Sequence, residues 1–358
     1  MDGLSESHSR PIKDTDFYLK GGDTTISVSG TLFKIHRDML ARDGSVFNQM
    51  FTADPPIASE TDLDGRDEEH PIILQGDTAD EFRSLLWSLY ALPQEIGDAS
   101  VGLDSNLLRL CFVAKLAHKY SFQTTEAWAT DALFSCTRNH ISNRVETPLD
   151  VLEKLTSVAI LCGDASKGLL EMVRTRWKIL IAERKDLALI IRYMGQLGLR
   201  DLEGCAYHAM MLEGRDAWNA DPLLTREQHI RLLSGHYNLS KYGRDLQYDP
   251  PSYTHNPVCN NHALCEVRWA HLWEVINART ESGIGMQAMP QDKTDLLGRL
   301  MMAVSVMKSF AEKNLLQNHD FATSSCVQIA YTATVEMHAK WSLDVINFFS
   351  DIPLSAHS

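Results

Sequence analysis

The sequence predicts an α+β N-terminal domain, a small mixed sheet capped by helices, followed by an all-α C-terminal region. Three observations carry this reading. Residues 23–36, DTTISVSGTLFKIH, place Ile26, Val28 and Leu32 around a Ser29-Gly30 pair, with β-branched residues throughout, which is a hairpin pattern. Residues 71–74, PIIL, form a short apolar run closed by Gly76 and Asp77, as a buried strand would. Beyond about residue 140 no strand pattern recurs, and the periodicity is helical.

Each element follows from local chemistry. Residues 1–15 are polar and lack an apolar stripe, so they read as a loose arm, with structure beginning near Phe17. After the hairpin, Met39, Leu40, Val46, Phe47, Met50 and Phe51 suit two short helices separated at Gly44. Asp77 or Thr78 is placed to cap a helix in which Phe82, Leu85, Leu86, Leu89 and Tyr90 share one face. Pro93 closes it, and two further amphipathic helices complete a domain over 16–140. Residues 141–247 read as helices over 149–162, 167–184, 186–197, 201–213 and 225–235. A Pro-containing linker, 248–262, separates them from three C-terminal helices within 263–358, roughly 263–280, 292–315 and 320–349. No fixed repeat period aligns these segments.

Composition narrows the function classes. The chain has 358 residues and a formal charge of -13, which disfavours non-specific binding to nucleic acid or anionic lipid. Seven acids and one arginine lie in residues 52–70, an acidic insertion that alone holds -6 of that charge. No apolar run is long enough for a membrane helix and the N-terminus lacks a signal-peptide core, so a cytoplasmic or nuclear protein is expected. Seven scattered cysteines then favour free thiols or a metal site over disulfides.

The stretch from Asp23 to Phe51 resembles the N-terminal half of a BTB/POZ domain. Asp23 opens the strand, Phe33, Lys34, His36 and Arg37 give F-K-x-H-R, Leu40 follows three residues on, and Phe47, Met50 and Phe51 give F-x-x-M-F, all in register. The resemblance covers about residues 16–140, and the acidic insertion with a helical C-terminal region is similar to BTB proteins of the fungal type. It implies a protein-binding module. In dimeric members the residues matching Asp23 and Arg37 lie in a charged pocket at the dimer interface, where a buried pair would fix register. Those members also exchange a helix and strand that precede the Asp; the 22 mostly polar residues before Asp23 give no sign of them. His36 is expected to fix the strand-to-helix turn. Other members dock a cullin scaffold through a hydrophobic-x-Glu motif, which the matching loop lacks.

One constellation carries metal chemistry. His255, Cys259, His262 and Cys265 fall within eleven residues, and with a helix starting near His262 they offer an N2S2 set suited to zinc. His271, Cys205 or His236 could stand in for one ligand, while Cys265 also falls on a core face with Trp269, Leu272, Trp273 and Ile276. Catalytic patterns are poor: Gly163 to Gly168 lacks the Lys and Ser/Thr of a phosphate loop, and Gly283 to Ala288 lacks the strand and helix of a dinucleotide site. The expectation is therefore a non-enzymatic interaction protein, self-associating or binding a partner through its first domain and recruiting a second partner through its helices. The alternative is a substrate adaptor of a cullin-type ubiquitin ligase.

Overall fold

A two-residue turn at Ser29 and Gly30, both with positive φ, folds strands β2 (Thr24–Val28) and β3 (Thr31–Ile35) into an antiparallel hairpin with Ile26 opposite Phe33. In the computed structural model, residues 11–52, 65–99, 104–143, 146–166, 168–246, 249–277, 290, 292–313 and 326–350 are described. The chain divides into two compact units, Met1–Thr175 and Arg176–Ser358.

In the first unit the hairpin is the centre of a four-stranded mixed sheet. The sheet order is β1-β3-β2-β4, where β1 is Ile12–Tyr18 and β4 is Ile72–Leu74, and both outer strands run parallel to their neighbours. Strand β1 corrects the expectation of a loose arm over 12–15; residues 1–10 of that arm lie outside the described residues. It was hidden because its buried side chain is not apolar: Asp14 faces inward, accepts the N–H groups of Asp16 and Phe17, and takes Arg83 Nε and Nη2 at 3.0 and 2.7 Å. Strand β4 is an edge with Ile73 exposed, not the buried strand the PIIL run suggested.

Short helices α1 (Arg37–Leu40) and α2 (Val46–Thr52) follow the hairpin, and α3 (Ala79–Tyr90) follows β4. Thr78 and Glu81 form a reciprocal capping box at the start of α3. The neighbouring Asp77 instead accepts Lys119 Nζ at 2.6 Å and the Tyr120 hydroxyl. Next come α4 (Pro93–Ala99), α5 (Asp104–Lys119), α6 (Gln123–Asn143) and α7 (Leu149–Leu161), with α5 packed on α3, α6 and α7. Ile26, Val28, Phe33, Phe47, Phe82, Leu86 and Phe122 belong to one buried core, in which the Phe33 and Phe82 rings meet edge to face at 5.0 Å. Of the acidic insertion, residues 53–64 lie outside the described residues. Its end, Gly65–His70, is held on the sheet by Thr25 N–H to Gly65 O and by Glu68 accepting Lys13 Nζ and the Tyr18 hydroxyl.

Helix α8 (Leu169–Ala182) contains the division between the units. The second unit is helical among its described residues: α9 (Leu187–Leu197), α10 (Arg200–Leu212), α11 (Arg215–Ala220), α12 (Arg226–Leu246), α13 (His262–Asn277), α14 (Leu296–Lys313) and α15 (Val327–Asp344). Helix α12 runs well past the 225–235 segment expected. A 3-10 turn, Val345–Phe349, continues α15 and packs between α10 and α12, with its four apolar side chains buried and Tyr207 stacked on Phe349 at 5.3 Å. Glycines make the room. A Cβ on Gly204 would lie 2.5 Å from Ile346 N, and one on Gly235 would lie 2.2 Å from the Phe349 ring, itself buried and unable to retreat. Gly235→Ala is therefore expected to destabilise the protein by about 1–3 kcal/mol, measured as a lowered denaturation midpoint. An unchanged midpoint would mean that the turn is not seated as described.

Candidate metal centre

The Pro-containing linker is ordered by indole N–H groups from the next helix. Trp269 Nε1 donates to Pro251 O at 3.0 Å and Trp273 Nε1 to Leu246 O at 2.7 Å, so the end of α12 and the first part of the linker are tied to the buried face of α13. Two asparagines shape the rest. Asn256 accepts Val258 N–H on its side chain and Cys259 N–H on its carbonyl, closing a turn that presents Cys259. Asn261 accepts the N–H groups of Leu264 and Cys265 and so starts α13 with Cys265 in its first turn.

These turns, with Cys326 at the start of α15, bring His255, Cys259, Cys265 and Cys326 together. One donor atom from each lies within 4.8 Å of all the others. Cys259 Sγ and Cys265 Sγ are 3.5 Å apart, and Cys326 Sγ is 3.6 Å from His255 Nδ1. Zinc bond lengths of about 2.3 Å to sulfur and about 2.0 Å to nitrogen make the edges of a coordination tetrahedron about 3.5–3.8 Å long, so these separations are those of a metal-ready set. The other imidazole nitrogen, His255 Nε2, faces Glu266 Oε1 at 3.4 Å, the carboxylate support that a ligating histidine commonly has.

Electrostatics agree with thiolate character. Burial alone would raise the Cys326 thiol, but Asn256 N–H, His255 and the other two cysteines outweigh it and bring it down to about 7. The Cys326 sulfur, with Glu266 second, raises the His255 imidazole. At Cys259 the Asn261 N–H pulls downward, yet burial and the neighbouring sulfurs prevail and the thiol is raised. The cluster thus favours the thiolate at Cys326 and disfavours it at Cys259.

The sequence-predicted set is corrected at one position. His262 is not among the converging donors; its ring stacks on His255 at 4.2 Å, nearly parallel. The fourth donor is Cys326, on the far side of a helix and a long intervening segment, where spacing offered no signal. The stand-ins weighed from the sequence are elsewhere: Cys205 donates to Ser342 O, and His271 and His236 are exposed.

In the first unit, Asp23 Oδ1 accepts the backbone N–H of Arg37 at 2.6 Å and caps α1, while the Arg37 guanidinium lies over the Phe51 ring at 4.5 Å. Both residues are exposed within the chain, so the expected pair meets through the backbone and not as a buried charge pair. His36 engages the Tyr90 hydroxyl through its N–H and its ring, fixing the strand-to-helix turn. Phe33, Leu40 and Phe47 are core residues, Lys34 is half-buried on β3, and Met50 is 45% exposed. Comparisons of the chain with protein-family models, with curated proteins and with solved structures find no match. Among the described residues no helix is long and apolar enough to cross a membrane.

Proposed function

We propose that this chain is a non-enzymatic protein-interaction protein, with a BTB/POZ-like first unit that self-associates or binds a partner and a helical second unit clasped by a structural zinc ion. The BTB/POZ reading is supported by the order hairpin, two short helices, parallel strand β4, covering helices, with the core phenylalanines of both motifs in one cluster. The observation that carries the interaction role is a surface on α2. Val46 and Met50, one turn apart on that helix, are 44% and 45% exposed. This apolar pair is the surface assigned to the partner.

The zinc reading rests on the convergence of the four donors, two of whose separations match the edges of a zinc site. With three cysteines and one histidine, the coordination sphere is closed by the protein and offers no position for substrate, which makes the ion structural. It joins the linker, the first turn of α13 and the start of α15.

Sedimentation at micromolar concentration tests the first part. The wild-type chain is expected to dimerise, and Met50→Asp to shift it to monomer while leaving the far-UV spectrum unchanged. A wild-type chain that stays monomeric removes self-association and leaves partner capture, including a cullin, as the role of that surface.

A further inference from the structure

Three helix ends in the first unit meet at a second set of donor atoms. His118 lies in the last turn of α5, Glu126 in the first turn of α6, and Cys162 caps the C-terminus of α7. One donor atom from each lies within 4.8 Å of the others, and His118 Nδ1 is 2.9 Å from Glu126 Oε1. Their backbones are fixed. Phe122 N–H bonds Ala117 O and Ser121 N–H bonds His118 O, closing α5, while Glu126 N–H bonds Phe122 O and Cys162 N–H bonds Val158 O.

The Glu126 side chain is only 15% exposed, and its contacts are the His118 imidazole and the Cys162 thiol; among the described residues no Lys or Arg reaches it. A carboxylate withdrawn from water needs partners, and this one faces two further donor atoms of metal-ligand type. Imidazole, carboxylate and thiolate are together the donors that bind a borderline divalent ion. Cys162 closes the inner side of the cluster, and the partly exposed His118 leaves the outer side open to solvent.

We propose that His118, Glu126 and Cys162 form a second metal site, which holds an exchangeable divalent ion such as zinc with its fourth position open to water or a small anion. With one sulfur in place of three, it binds more weakly than the closed set on α13 and α15. The site is independent of that centre and lies wholly within the first unit.

Cobalt(II) is the probe. The full chain, saturated with one equivalent of zinc, is titrated with cobalt and read by equilibrium dialysis and by thiolate-to-cobalt charge-transfer absorption. A further equivalent is expected, with the absorption of a single thiolate. Glu126→Gln, which preserves shape, and His118→Ala should each weaken cobalt binding about tenfold or more, while Cys162→Ala should abolish the charge-transfer band. Cys326→Ser should leave this equivalent in place. No saturable cobalt beyond the first equivalent overturns the proposal, as does uptake that survives Glu126→Gln and His118→Ala but is lost in Cys326→Ser. Cys326→Ser titrated without added zinc isolates this site, so the outcome does not depend on occupancy of the closed centre.

Discussion

Cys326→Ser is expected to strip the second unit of its metal and to destabilise it by more than about 4 kcal/mol, because ligand binding and folding are one event at a structural zinc centre. The size follows from what the residue joins. Cys326 sits at the start of α15 and reaches His255 in the linker and the sulfurs of Cys259 and Cys265, so its loss separates three segments at once. The matched control is His262→Ala. Stacking on His255 without donating to the cluster, His262 should be replaceable with metal content unchanged. Metal analysis and thermal unfolding of both variants check this. Zinc lost from His262→Ala and kept by Cys326→Ser would restore the ligand set inferred from spacing and refute the geometric one.

Asp14→Ala should cost about 1–3 kcal/mol in the first unit, since it removes the buried carboxylate that holds two backbone N–H groups of β1 and one of the two partners of Arg83. The Asp14 carboxylate is wholly buried and bonds Arg83 through two nitrogens, while its other oxygen holds two backbone N–H groups of β1. Hydrogen exchange of the Ile12–Tyr18 amides should accelerate first. Asp80→Ala removes the other, largely exposed, partner of Arg83 and should change stability by less than about 1 kcal/mol. Equal effects from the two substitutions would show that β1 is not anchored through its buried carboxylate.

The legible parts of the sequence were those written in apolar periodicity or turn chemistry. The hairpin is visible because Ser29-Gly30 accepts positive φ between β-branched runs, and α3 because a cap at Asp77 or Thr78 precedes an apolar face of Phe82, Leu85, Leu86, Leu89 and Tyr90. Strand β1 is not, because it is fixed by a charge pair and a backbone ladder, and its pattern I-K-D-T-D-F-Y shows no alternation of apolar residues. The edge character of β4 was equally hidden, since PIIL reads as apolar whether one face or two are covered. At the metal centre the local donors His255, Cys259 and Cys265 stood out by proximity. Cys326 converges on them only in the fold, and the spacing that offers His262 as a donor carries no sign of its stacking on His255. The Gly204 and Gly235 contacts with the C-terminal turn are of the same kind: a requirement for space that becomes visible only when the occupant is in place.

The zinc content of the purified full-length chain, after dialysis against a weak chelator, tests the centre most directly. One tightly held equivalent, retained in His262→Ala and lost in Cys326→Ser, is the predicted result. A wild-type chain that is folded and holds less than about 0.2 equivalents would contradict it.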